Sequence, residues 1–220
     1  MERIPEPELM LDEAQARAYA AADFAEPHGR LSELLRERLP DLPTEGRALD
    51  LGCGAADIAL RFARSFPGWR VDGIDGSPAM LRCGYEAVAA AGLADRVTLS
   101  EGYLPGGAAP GERYDLVFSN SLLHHLAAPA VLWASLRRWA RPGARVFVQD
   151  LLRPESRAQA QTLVDRYAAG EPAVLRRDFF HSLLAAYRVA EVERQLAQAG
   201  LGHLSVEQVS DRHWIAWGRV

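Results

Sequence analysis

Ala48-Leu49-Asp50-Leu51-Gly52-Cys53-Gly54-Ala55-Ala56-Asp57 runs from a short apolar stretch through a carboxylate into a Gly-x-Gly turn, and then into a helical pattern. That is the order of a strand, a tight turn and a helix. Two glycines let a backbone turn sharply and approach a ligand closely. The helix behind them aims unpaired N–H groups at the same point. A dinucleotide loop carries a third glycine three residues after the second, for close helix–strand packing; Asp57 stands there instead. Asp50 precedes the first glycine, and a carboxylate there repels a pyrophosphate and attracts a cation. The loop suits a zwitterion with positive charge near Asp50 and a carboxylate near the helix N-terminus. An ordinary tight β–α turn would show the same glycines.

Two further stretches point to one crevice. Trp69-Arg70-Val71-Asp72-Gly73-Ile74-Asp75 reads as a second strand ending in an acid, and Asp75 lies 21 residues after Gly54. That is close to the spacing at which an acid meets ribose hydroxyls. Ser77-Pro78 offers a helix cap of its own, which leaves Asp75 for a ligand. S-adenosylmethionine, with its ribose, ammonium, sulfonium and carboxylate, has the matching pattern of charge. Tyr114-Asp115-Leu116-Val117-Phe118-Ser119-Asn120 is an apolar strand, followed by a loop that presents His124 and His125. In an open parallel sheet, ligands sit beyond the carboxyl ends of the strands.

Asp50-Leu-Gly-Cys-Gly54, Ile74-Asp75-Gly-Ser-Pro-Ala-Met80, Ser119-Asn-Ser-Leu-Leu-His-His-Leu126 and Arg141-Pro-Gly-Ala-Arg145 together resemble the motif series of class I S-adenosylmethionine-dependent methyltransferases. The likeness is to the small branch that includes ubiquinone and menaquinone methyltransferases, and it covers roughly residues 47–149. It implies an α/β, Rossmann-like, doubly wound sheet of seven strands, mostly parallel, with the last strand antiparallel at the sheet edge. It also implies cofactor contacts from Asp50, Gly52, Cys53 and Gly54, from Asp75, Gly76 and Met80, and from Asn120 and Ser121. Two positions depart from the family. Ala56 stands where a third glycine is common, and Gly102-Tyr103 stands where an acid often meets the adenine amine. Glu101, Gly102 and Tyr103 are the candidates for the adenine contact.

The 220 residues suit one α/β domain with a sizeable core. The expected parts are an N-terminal helical cap (1–40), a cofactor-binding core (47–150), an insert (151–184), and a closing helix with a strand hairpin (185–220). Net charge is −4, which argues against a dedicated nucleic-acid surface. Lysine is absent, so all 25 basic residues are arginine. This removes a Walker-type lysine, a Schiff-base lysine and a kinase-type strand lysine. Cys53 and Cys83 form no metal-spaced pair, and Cys53 reads as a small filler of the loop. No signal peptide and no apolar run of membrane length is visible, so a cytoplasmic protein with a small-molecule substrate is expected.

Strand patterns near 47–51, 70–74, 97–100, 114–119 and 144–149 alternate with helical patterns near 55–65, 78–91 and 129–140. Two N-terminal helices are expected at 12–23 and 28–39, separated by Pro27 and Gly29, and two short strands at 203–208 and 213–220. Such alternation gives a parallel sheet with helices on both faces. The insert at 151–184 is long for the ligand edge of such a fold, and excursions of that kind are usually functional. It reads as a helical insert that forms a substrate-covering lid with the N-terminal helices, with Tyr19, Phe24, Arg153, Tyr167 and Phe180 as candidate substrate contacts. His124 and His125 are the candidate catalytic residues, because histidine titrates near neutrality. Adjacent side chains point apart, so one of the two is expected to face the ligand. Their spacing with His181 supports no metal site. Three other readings stay open at this level: a carboxy-S-adenosylmethionine synthase-like transferase, a nicotinamide oxidoreductase, and a non-catalytic cofactor-binding subunit.

Overall fold

The computed structural model describes residues 1–6, 10–22, 25–106, 111 and 113–220. Seven strands form one sheet: β1 (Glu45–Leu51), β2 (Gly68–Asp75), β3 (Val97–Glu101), β4 (Tyr114–Asn120), β5 (Ala140–Leu151), β6 (Ser205–Gln208) and β7 (His213–Arg219). The helices are α1 (Glu13–Ala21), α2 (Ala25–Arg38), α3 (Asp57–Ser65), α4 (Pro78–Ala90), α5 (Ala130–Trp139), α6 (Arg157–Tyr167), α7 (Ala173–Ala185) and α8 (Val189–Gln198). The strand order is β3-β2-β1-β4-β5-β7-β6. β1 to β5 run parallel, and β7 runs antiparallel to both β5 and β6. The last strand is therefore antiparallel as expected, but it is not at the edge. β7 slots between β5 and β6, and the short strand β6 takes the edge.

Period-two alternation explains why the sheet buries both faces. Ala48, Leu116, Phe118, Phe147 and Ile215 point to one side, where they pack with Leu31, Leu34 and Leu35 of α2 and Phe62 of α3. Their neighbours Leu49, Val117, Val146, Val148 and Trp214 point to the other side, against Trp133 of α5 and Val192 and Leu196 of α8. The central strands β1, β4 and β5 are therefore apolar at consecutive positions, and this part of the sheet lies between two helical layers.

Local signals set several helix starts. Ser77 accepts a hydrogen bond from Met80 N at 3.2 Å, with Pro78 at the first helical position of α4. Ser156 caps α6 and Asp12 caps α1 in the same manner. The expected break between the N-terminal helices falls elsewhere. Pro27 and Gly29 lie inside α2, near its start, where a missing N–H costs nothing because the first turn has no intrahelical acceptor for it. The insert holds two helices, α6 and α7, which pack on each other through Ala160, Leu163, Val164, Leu183 and Leu184. Strand order reverses between β1 and β4, and this is where an open α/β sheet leaves a crevice beyond its carboxyl ends.

Candidate active site

That crevice is a cavity of about 1690 Å³. Ligand pockets for a single small molecule run to roughly 1,000 Å³, so this one has room for two. Its walls come from the loops after β1, β2, β3 and β4, from α1, and from the α6–α7 insert. Among the residues expected from sequence, Gly52, Cys53, Gly54, Asp75, Gly76, Met80, Gly102, Tyr103, Asn120, Ser121, His124, His125, Tyr19 and Tyr167 all line it.

The glycine loop is held by β2. Gly52 N and Cys53 N both donate to Ile74 O, at 2.8 and 3.1 Å. Gly52, Gly54 and Ala56 have φ of 75°, 51° and 66°. A left-handed conformation at every second residue explains a glycine preference at all three positions, and Ala56 tolerates it at a steric cost. A Cβ on Gly52 would lie 2.8 Å from Leu122 Cδ1, and one on Gly54 would lie 3.0 Å from Met80 Cε. Two glycines outside the motif are as tightly placed. A Cβ on Gly73 would meet Cys53 Cβ at 2.8 Å, and one on Gly84 would meet Leu99 Cδ1 at 2.8 Å and Gly54 O at 3.2 Å. Bare backbone on β2 and α4 lets the loop sit down. Burial first, then the charges of Asp50 and Asp75, push the Cys53 thiol well above its ordinary range, so its role is to fill space.

Asp75 differs from the sequence reading in one respect: it is already engaged with the protein. Oδ2 accepts from Gly54 N and Oδ1 from Ser77 N, each at 2.8 Å. Each oxygen keeps a second lone pair, and Asp75 faces the cavity. Burial raises its pKa, opposed by the Ser77 and Gly54 amides. Asp50 is placed otherwise than expected. It is 1% exposed, it is not a lining residue, and its Oδ2 has no hydrogen-bond partner. Burial and then Asp75 raise its pKa well above the carboxylate range. Asp50 thus makes no contact with the cavity. Asn120 also holds a buried Oδ1 without a partner, while its Nδ2 donates to Ser121 Oγ at 3.3 Å. Ser121 follows with φ 56°.

The two histidines do not diverge. A 3-10 turn, Leu123–His125, stacks their rings 4.2 Å apart with a 35° tilt, so both face one point. His124 is 2% exposed, and its Nδ1 lies 2.5 Å from Asp150 Oδ1. Asp150 Oδ2 accepts from Leu123 N at 2.7 Å. For His124, burial lowers the pKa, but Asp150 and then Glu6 outweigh it and the net shift is upward. For Asp150, burial raises the pKa, but His124 and the Leu151 amide outweigh it and the net shift is downward. An ionised Asp150 requires the proton on Nδ1, which turns the Nε2 electron pair toward the cavity. Glu6 completes the group, with Oε1 at 3.4 Å from His124 Nε2 and 3.2 Å from His125 Nδ1.

Several expectations are corrected here. Arg153 is buried away from the cavity, donating to Ala186 O at 2.9 Å and to Glu191 at 2.7 Å; it ties the insert to α8. Phe180 packs on the apolar cluster of α6 and α7 instead of lining the cavity. Glu101 is exposed at the tip of β3 and is not a lining residue. Phe24 lies outside the described residues. Tyr19 stands on the same side as Asp57 and Asp75; burial and then these two charges push its pKa up to about 12. Asp150 and Glu6 were not anticipated. Asp150 had a signal, since Val146-Phe-Val-Gln-Asp150 is an apolar strand ending in an acid, like the strands that end at Asp50 and Asp75. Glu6, in a proline-flanked N-terminal stretch, had none.

A methyltransferase-domain family model matches residues 49–146. The chain is 31% identical over 126 residues to trans-aconitate 2-methyltransferase of Azoarcus sp., covering 57% of this chain and 47% of that one. It is 27% identical over 197 residues to 27-O-demethylrifamycin SV methyltransferase of Amycolatopsis mediterranei, covering 90% and 68%. The chain thus spans about half of the former relative. A solved S-adenosylmethionine-dependent methyltransferase from Aquifex aeolicus shares the fold at a TM-score of 0.67 and 18% identity, over 96% of this chain and 100% of that one. The chain is thus similar to methyltransferases across β1 to β5, and it shares the fold of a solved S-adenosylmethionine-dependent methyltransferase.

Proposed function

We propose that the protein uses S-adenosylmethionine to methylate a small-molecule acceptor, and that Asp75 and the glycine loop carry this reading. The residues present fit the cofactor. Asp75 has lone pairs free beside two fixed amides, in a place that favours hydroxyl donors. Asn120 Oδ1 is a buried acceptor without a protein donor, as a ligand ammonium requires. A cation bound over the loop favours ionisation of the buried Asp50 carboxyl, and a diphosphate opposes it. These features speak against the nicotinamide alternative. Gly102 and Tyr103 are the proposed adenine wall, since both line the cavity and Tyr103 keeps an exposed ring.

When bound, S-adenosylmethionine supplies a methyl group on a positively charged sulfur. The chain's own residues provide orientation and electrostatics, and holding reactants in line removes ~7–11 kcal/mol of barrier. His124 and His125 are the proposed catalytic pair. Asp150 orients His124 so that Nε2 is an electron-pair donor toward the acceptor, helping its nucleophilic atom to shed a proton. The N-terminal segment and the insert act as the cover. Met1 N donates to Glu155 O at 3.1 Å, Arg3 to Ala185 O at 2.6 Å and His124 O at 2.9 Å, and Ile4 N to Leu184 O at 3.0 Å. A closed cavity excludes water from the transfer. Both relatives are named for small organic acceptors, which supports an acceptor of that class. No helix among the described residues is long and apolar enough to cross a membrane.

Incubation of a metabolite extract with methyl-labelled cofactor, read by mass spectrometry, tests this. A labelled product that requires His124 supports the proposal. Binding of NAD with no binding of S-adenosylhomocysteine removes it.

A further inference from the structure

Glu6 is out of place for a residue that only secures the N-terminus. Its carboxylate is 9% exposed and has Ser182 as a hydrogen-bonding neighbour, yet among the described residues Oε1 has no hydrogen-bond partner, although it lies 3.4 and 3.2 Å from imidazole nitrogens of His124 and His125. All three donor atoms fall within 4.8 Å of one another. Nitrogen and oxygen ligands at about 2.1 Å around a tetrahedral ion sit about 3.4 Å apart, which the two Glu6 separations match. His124 has the outer partner that such a ligand needs. Asp150 takes Nδ1 at 2.5 Å, fixing the ring and leaving Nε2 to point at Glu6.

We propose that Glu6, His124 and His125 bind a divalent transition-metal cation of the zinc class. Two imidazoles and one carboxylate suit zinc, cobalt or iron(II), whereas magnesium and calcium favour all-oxygen sets. All three residues line the cavity, so the fourth position opens onto it. That is the pattern of a catalytic ion and not of a closed structural one. The consequence for the acceptor rests on the methyltransferase reading. With the ion bound, the His124 Nε2 pair is held by the metal, so the ion and not His124 acidifies the acceptor: an oxygen nucleophile, a hydroxyl or a carboxyl, takes the open position and releases its proton to solvent as it binds. The specificity of the enzyme then falls on oxygen acceptors.

The test uses full-length protein stripped with a chelator, dialysed, and titrated with zinc by calorimetry and with cobalt(II) by visible absorption. Each sample is also titrated with S-adenosylhomocysteine. The expected result is one equivalent of metal at micromolar affinity or tighter, with tetrahedral cobalt bands. Glu6→Gln and His125→Ala are each expected to weaken metal binding at least tenfold and to retain S-adenosylhomocysteine binding as proof of folding. No metal uptake by the wild type, equal uptake by both variants, or a cobalt–thiolate band that places the ion on Cys53 or Cys83 overturns the site. Loss of S-adenosylhomocysteine binding in a wild type that still takes up zinc overturns the proposed function and leaves the metal site standing.

Discussion

The carboxylate of Asp50 lies beneath the glycine loop with Oδ2 unbonded and Asp75 as its charged neighbour. A buried carboxylate without compensation opposes folding once it ionises. Its folded pKa is raised well above the ordinary value of an aspartate, so the penalty is absent below that ordinary value and grows as pH rises toward the folded one. Asp50→Asn is therefore expected to raise the melting temperature of the ligand-free protein, by more at pH 7 than at pH 4, and to weaken S-adenosylhomocysteine binding. Thermal scans across that range check it; equal melting temperatures at pH 7 would show that Asp50 is already relieved. Ala56 tells a related story. Its φ of 66° shows why a glycine is common there, yet its methyl group is fully buried in the core cluster, so packing offsets part of the strain. The motif told which positions matter. It did not tell that Asp75 would be anchored by Gly54 and Ser77, because hydrogen bonds to backbone amides depend on the loop's path and leave no trace in residue type.

Between elements, two contacts separate a structural role from a functional one. Arg153, at the start of the insert, reads in sequence as a charge available to an anionic substrate. Its burial against Glu191 and Ala186 O makes it a tie between the insert and α8. Arg153→Met is expected to destabilise the protein by about 2–4 kcal/mol, toward the lower end for a broken buried pair because Glu191 is partly exposed. S-adenosylhomocysteine affinity should stay within about twofold, since 1.4 kcal/mol corresponds to tenfold. Chemical denaturation and calorimetry on the same variant check both halves, and a large loss of affinity without destabilisation would return Arg153 to the ligand site. The second contact joins α1 to α7, where Gln15 Nε2 donates to Asp178 Oδ2 at 2.6 Å. A hydrogen bond to a charged group contributes roughly 1.5–3 kcal/mol. If it holds the cover closed, Gln15→Ala speeds S-adenosylhomocysteine release about tenfold in stopped-flow fluorescence. An unchanged release rate would mean that these helices do not gate the cavity. The insert was legible as a helical excursion but not in the bounds of α6 and α7, because the two helices owe their core to each other and not to a regular apolar stripe.

At the scale of the molecule, the fold was legible because strands buried on both faces must be apolar at consecutive positions, and these strands alternate with helix patterns. The edge was not. Whether β7 ends a sheet or slots between β5 and β6 depends on pairings among residues far apart in the chain, such as Arg145 with Arg219 and Ser205 with Trp217. The proposed catalytic group shows the same divide. His124 and His125 follow a strand tip and could be found, whereas Glu6 reaches them from the other end of the sequence. What unifies the account is one cavity at the reversal of strand order, with Asp75 in its lining. The most direct test is calorimetric titration of S-adenosylhomocysteine into the wild type and Asp75→Ala. Micromolar binding by the wild type, weakened in the variant by ~1–3 kcal/mol, or roughly 5- to 150-fold, is the predicted result. Absence of binding by the wild type, or identical affinity in the two proteins, would contradict it.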